Sequence, residues 1–358
     1  VTAAAQRVRQ PGETVVRVGP VSGRVRWRAV GVAAGAAVAA VLLAAVSMGR
    51  GDFPIGLADV LRTLAGLGDE TQELVVWQLR APRVVVGALV GVALGVAGAL
   101  FQTFARNPLA SPDVLGISQG ASAGAVAAIV LGGPAGSGLV AGAGVPLAAL
   151  VGALTTGLLL LLLAWRRGLD GYRLVLVGIA LWAVASALVD WMLTRAAVQD
   201  AASAYVWITG SLNARTWSEA VPLLVALAVL LPAALACGRA LGAVQFGDDT
   251  ARGLGVRLVP IQASVVLVAV GLTAAAVAAA GPIAYVALVV PQVAVRLAGG
   301  PRPPLVASGL LGAVLVVGAD LLTRTVLPQA LPVGVLTAAV GAPYLLWLLV
   351  RGRRRSTL

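Results

Sequence analysis

The sequence predicts an all-α polytopic membrane protein of about ten transmembrane helices, with both termini on the cytoplasmic side. Three observations carry this expectation. Hydrophobic residues make up 59% of the 358 and charged residues only 11%, whereas roughly a quarter of a soluble domain is charged. The segments between Asp113 and Arg166 and from Leu258 to Val295 contain no charged residue, and each exceeds the about 20 residues that cross a bilayer. The basic residues, finally, gather on one side of the spans that such runs define.

The spans emerge in order when the apolar runs are broken at charges, Gly/Pro clusters and turn dipeptides. The first, near 29–49, comes after the basic stretch ending at Arg28, and the second, near 84–105, lies between Arg83 and Arg106. The long uncharged run after Asp113 divides at Gly132-Gly133-Pro134 into spans near 114–131 and 139–165. A fifth lies near 174–194 and a sixth near 219–237. The run from Leu258 divides at Gly281-Pro282 into 258–280 and 283–298, and the last two spans fall near 304–322 and 333–350. Several are short for a full crossing. Short helices interrupted by Gly and Pro suggest a transporter, where broken backbone lies against protein or a cavity.

Orientation is set by arginine. All 26 basic residues are Arg, and with the N-terminus inside, the cytoplasmic segments hold 19 of them, from Arg7 to Arg28, at Arg106, Arg166, Arg167, Arg173, Arg239, Arg252, Arg257, Arg296 and Arg302, and at Arg351, Arg353, Arg354 and Arg355. The net charge of +12 is thus a topology signal and not a nucleic-acid footprint. Residues 1–28 read as a basic cytoplasmic arm, poorly ordered and close to anionic lipid headgroups. Residues 29–350 form the transmembrane domain, with a cytoplasmic connection at about 238–257, and 351–358 form a basic cytoplasmic tail. The first apolar run lacks a small-residue cleavage site, so no cleavable signal peptide is expected.

Absences narrow the chemistry. With no lysine and no histidine, and with Cys237 as the one cysteine, the chain cannot hold a phosphate-cradling Gly-Lys-Ser/Thr loop, a histidine metal site or an internal disulfide. Cys237 reads as a small packed hydrophobe. No catalytic residue, cofactor or metal is expected in this chain, and any ATP and Mg must be held by another polypeptide.

Small residues at Gly87, Gly91, Gly95 and Gly98 line one face of the second span and read as a site of close helix packing. Asp190 and Asp320 lie at the outer ends of apolar spans, each within about a turn of an arginine (Arg195, Arg324), and read as structural pairs in preference to proton-carrying groups. Arg80 and Arg83 stand on the external side, where cations are unexpected. They either snorkel to lipid phosphates or meet an acidic partner. Pro108 and Pro112 force a compact turn after the second span. The connection from Phe246 to Gly255 carries mixed charge and a Leu-Gly ending, as a solvated surface helix would.

The stretch Gln78–Gly124, with its paired-arginine turn Arg80-Ala81-Pro82-Arg83 before the second span and its Arg106-Asn107-Pro108-Leu109-Ala110 turn after it, resembles the signature of the FecCD-type permeases, which serve iron-siderophore and cobalamin ABC importers. The likeness extends through Ala251-Arg252-Gly253-Leu254-Gly255, Gly281–Gln292, Leu331-Pro332-Val333-Gly334 and Gly341-Ala342-Pro343-Tyr344. Tyr285, Ala287 and Gln292 depart from the usual Phe, Gly and His. The resemblance implies the type II ABC importer permease fold in the bacterial cytoplasmic membrane, and a set of roles. Arg80, Arg83 and Arg324 would dock an extracytoplasmic substrate-binding protein. Asn107, Leu109, Asp170 and Gly171 would line the cytoplasmic gate. Gly247, Asp248, Asp249, Ala251, Arg252, Leu254 and Gly255 would form the coupling loop on a separate ABC ATPase. The segment Trp207–Trp217 resembles ferric-enterobactin-type permeases, which implies a ferric siderophore as cargo and a heterodimer with a second, homologous permease. The alternatives are a homodimeric cobalamin or haem importer and, from another class, an ion-coupled secondary transporter, for which no mid-span charge cluster is present.

Overall fold

The structure, a computed structural model, describes residues 13–18, 21–51, 53–132, 144–166, 168–244, 253, 258–326 and 331–353. Helices dominate it. Among the described residues seven helices are long and apolar enough to cross a membrane and three more are apolar but shorter, which together match the ten expected spans. In chain order, α1 is Trp27–Gly49, α2 Leu57–Leu64 and α3 Glu70–Glu73. A π-helical segment, Leu74–Arg80, leads without a break into α4, Ala81–Ala105. Then come α5 (Ile117–Gly132), α6 (Gly144–Ala164), α7 (Gly171–Arg195), α8 (Val198–Ile208) and α9 (Trp217–Val244). The last four are α10 (Leu258–Ala280), α11 (Val286–Ala298), α12 (Leu305–Thr325) and α13 (Val333–Arg353).

Helix α4 is the axis of the molecule. In its apolar window 78% of residues are buried inside the protein, against 6% in α1. It packs most extensively on α12, then on α10. The glycine face explains how. A Cβ at Gly91 would run into the Gly312 carbonyl, and one at Gly98 into that of Ala287. The backbones therefore touch, and only a residue without a side chain allows it.

Four short elements were not among the expected spans. Helices α2 and α8 lie outside the bilayer-crossing set, whereas α3 and the π-helical segment extend the second span back to Glu70. In α2, Asp59 and Arg62 pair at 3.6 Å across one turn, while Val60 and Thr63 are buried. Within the basic arm, β1 (Glu13–Val18) and β2 (Val21–Arg26) pair antiparallel, with Glu13 opposite Arg26. Arg26 then donates to the Gly299 carbonyl at 2.7 Å, which fixes the start of α1 against the end of α11.

Two local readings are corrected. The Arg80–Arg83 segment, read as a turn before the second span, is helical. Its Pro82 is the second residue of α4, at the point where the π-helical segment gives way to α-helix. Asp190 does not pair with Arg195 among the described residues. Five residues place them about 140° apart around a helix, and Arg195 lies over the Trp191 ring at 5.1 Å instead. Asp320 does pair with Arg324, at 3.2 Å.

Replacing Gly91 by Leu is expected to cost about 1–3 kcal/mol by overpacking, read as a lower thermal unfolding midpoint in detergent. Gly31→Leu, where an added Cβ meets nothing within 4 Å, is expected to stay within about 0.5 kcal/mol of the parent.

Candidate functional site

At the outer end of the molecule the three arginines at 80, 83 and 324 converge. Arg80, from the π-helical turn, is 8% exposed and donates to the carbonyls of Met48, at 2.7 Å, and Phe53. Arg83, in the first turn of α4, grips Asp320 with two nitrogens. Its Nε lies 3.0 and 3.1 Å from the two carboxylate oxygens and its Nη2 2.7 Å from Oδ1. Arg324 approaches the same carboxylate through Nε and donates through Nη2 to the Oγ of Ser47. Weaker contacts at 3.4 Å run from its Nη2 to the Ser47 carbonyl and from its Nη1 to that of Arg50.

The electrostatics of this cluster are self-consistent. Asp320 is 2% exposed, and a buried carboxylate is sustained only by ion pairing and hydrogen bonds. Two guanidinium groups supply both. The carbonyls of Ser47, Met48 and Arg50 close the C-terminal turn of α1, the negative end of its dipole, where cations are favoured. Part of each cation stays accessible, with the side chains of Arg83 and Arg324 18% and 12% exposed.

At the inner end, α4 stops where Arg106 takes a left-handed conformation at φ 50°. Asn107 then accepts from the Leu109 amide at 2.9 Å, a local bond that tightens the proline turn. Asp170 caps α7 by accepting from the Arg173 amide at 3.1 Å. Gly171 sits so close to α4 that an added Cβ would come within 2.9 Å of the Ala105 Cα. A cavity of about 370 Å³, lined in part by Arg106, Asp170, Gly171 and Gln262, lies between the two segments. Buried Gln262 of α10 accepts from the Leu169 amide at 3.2 Å and secures that loop. The end of α4, just before the proline turn, and the Asp170 loop, far apart in sequence, thus abut, while Asn107 and Leu109 do not line the cavity. The coupling-loop residues Gly247, Asp248, Asp249, Ala251, Arg252, Leu254 and Gly255 lie outside the described residues.

Three polar features escaped the sequence reading. Asp113 accepts from Ser118 Oγ at 2.6 Å and from the Tyr285 amide at 3.3 Å. It borders two cavities of about 330 and 430 Å³ that Trp182 and Ala284 also line. Apolar surroundings push its carboxyl above the usual range, against the lowering effect of those two bonds. Buried Gln102 donates to the Leu288 carbonyl at 2.9 Å and accepts from Gln292 at 2.6 Å, which ties α4 to α11. At the end of α11, Arg296 donates to the Tyr344 hydroxyl at 2.7 Å and lies over the Trp347 ring at 4.4 Å. Asp113 had a visible signal, being the last charge before a long uncharged run. The glutamine pair and the aromatic clamp had none beyond unusual residue types. Among the described residues no cluster of three or more His, Cys, Asp or Glu could hold a metal.

Comparison with known proteins identifies the family. The chain is 41% identical over 307 residues to the ferric enterobactin transport system permease protein FepG of Escherichia coli, which covers 86% of this chain and 91% of that one. It is 41% identical over 321 residues to the achromobactin transport system permease protein CbrC of Dickeya dadantii, covering 88% and 89%. It is 38% identical over 304 residues to the vitamin B12 import system permease protein BtuC of Serratia proteamaculans, covering 84% and 88%. A solved inward-facing structure of a metal-chelate type ABC transporter superposes with a TM-score of 0.78 at 24% identity, over 90% of this chain and 99% of that one, and shares its fold. The model of the FecCD transport family matches residues 29–351, and this chain belongs to that family.

Proposed function

We propose that this chain is a permease subunit of an ATP-driven importer for ferric siderophores in the bacterial cytoplasmic membrane. The observation that carries the reading is the match at 41% identity, over nearly the full length of both chains, to a ferric enterobactin permease. The chain supplies the path and its gates, and ATP hydrolysis belongs to a separate subunit. The lack of any lysine, and hence of a phosphate-cradling loop, supports that division of labour. A second, different permease completes the path.

Three sites have distinct tasks in this reading. Arg80, Arg83 and Arg324 form the docking face for an acidic extracytoplasmic binding protein, Arg83 and Arg324 through their accessible parts and Arg80, buried on the Met48 and Phe53 carbonyls, by holding the segment after α1. Exposed ion pairs contribute only about 0.2–1 kcal/mol each, so their part is to steer the encounter and set the register. Asn107, Leu109, Asp170 and Gly171 form the cytoplasmic gate, a role supported by the polar cavity that Asp170 and Gly171 line with Arg106, next to Asn107 in the chain. The segment Gly247–Gly255 docks in the ATPase and transmits its closure to the gate, which requires a rigid connection and not a flexible one.

Purification of the tagged chain from its native membrane in mild detergent is expected to bring down an ABC ATPase and a second permease, identified by mass spectrometry. An ATPase with this permease alone would replace the heterodimer with a homodimer and return cobalamin to consideration. No ATPase from a demonstrably intact preparation would sink the proposal. Replacing Ala251–Leu254 by a flexible Gly/Ser linker is expected to abolish siderophore-dependent iron uptake while leaving membrane insertion unchanged. Retained uptake would refute the coupling role.

A further inference from the structure

The docking arginines are not independent cations. Arg83 and Asp320 are separated by 237 residues in sequence, yet the carboxylate of Asp320 binds Arg83 from α4 and Arg324 from its own helix. On Arg83, the hydrogen bonds to Asp320 involve Nε and Nη2, so the planar guanidinium is held by a fork. Arg324 is held differently. Its Nε lies 3.2 Å from Asp320 without the alignment of a hydrogen bond, and its orientation rests on the fully buried Ser47, whose Oγ accepts from Nη2.

We infer that Asp320, assisted by Ser47, is the positioning residue of the docking face. This deepens the reading that these arginines receive an acidic binding protein, and it rests on that reading. Two long cationic side chains a few ångströms apart repel each other and sample many rotamers. A shared carboxylate removes most of the repulsion and fixes both groups before the partner arrives. Binding then loses less side-chain freedom, and the partner's carboxylates meet a preset pair. The same carboxylate lowers the net positive charge of the face by one. Asp320 therefore gives up some long-range attraction in exchange for geometry, and the two effects act on different rates. Attraction governs association, whereas fit governs dissociation.

The test uses the assembled transporter in nanodiscs and its purified binding protein, with association and dissociation rates measured across a salt series. Assemblies are first matched for monodispersity and thermal unfolding. Asp320→Asn is expected to speed dissociation about tenfold while association stays level or quickens, because the face gains a positive charge. Ser47→Ala leaves the charge unchanged and is expected to speed dissociation about threefold with no change in association. If Asp320→Asn slows dissociation, the carboxylate is a competitor of the partner, and the positioning role is wrong. If both variants dissociate at the parent rate, Asp320 is only a staple between α4 and α12. Should Asp320→Asn fail to assemble, Ser47→Ala decides alone. Arg83→Ala separates docking from positioning. If it too changes neither rate, the docking reading has failed, and with it the positioning role. If it weakens docking while Asp320→Asn and Ser47→Ala do not, only the positioning role is overturned.

Discussion

Within a bilayer the hydrophobic effect does not draw one helix to another, because lipid tails are as apolar as leucine. Helices hold together through van der Waals contact, and contact improves steeply as backbones approach. In this chain that constraint is met at α4. The Gly91–Gly312 and Gly98–Ala287 approaches bring α12 and α11 to backbone distance, and the other features depend on that closeness. With α12 seated on α4, Asp320 falls within reach of Arg83. With α11 seated there, Gln102 can bond the Leu288 carbonyl and Gln292. Neither polar contact would form if the helices stood one side chain further apart.

The charges are few, and their placement divides labour between the two membrane faces. The charge pattern of the sequence assigns most of the arginines to the inner face, and among the described ones Arg296 is engaged with aromatic rings. The outer face holds few, and those at 80, 83 and 324 are turned onto carbonyls or a carboxylate. A guanidinium with five donors in one plane suits this work, since it can satisfy a buried acid and a helix end at once. Lysine could not replace it in the fork on Asp320.

Much of the fold was legible because the bilayer writes it in composition. Charge-free runs and Gly/Pro breaks mark the spans, and α10 begins and ends where the uncharged run and Gly281 place it. The small helices α2 and α8 were not legible, since a short amphipathic segment outside the bilayer leaves no long apolar run. The site was legible in part. Arg83 and Arg324 were grouped by the family resemblance and Asp320 was paired with Arg324, but no local pattern relates residue 83 to residue 320, and only the seating of α12 on α4 brings them together. The opposite error arose at Asp190, where closeness in sequence suggested a pair that helical rotation forbids. The packing of the Asp170 loop on the end of α4 depended likewise on a tertiary contact, that of Gly171 with Ala105.

Helix α1 is a span held at its ends. Only Ala36 and Ser47 are buried along it, yet Arg26 fastens its start to the end of α11 and Arg80 and Arg324 grip its final turn. Its 23 residues span about 34 Å, and between the two anchorages one side rests along α12. Such a rod, backed along its length, carries a pull from one end to the other. The turns that face away from α12 are free to vary in sequence against lipid, while a displacement of the arginine knot at one end reaches the tip of α11 at the other. The first span is in this sense a tie bar across the membrane, joined at both ends by arginine.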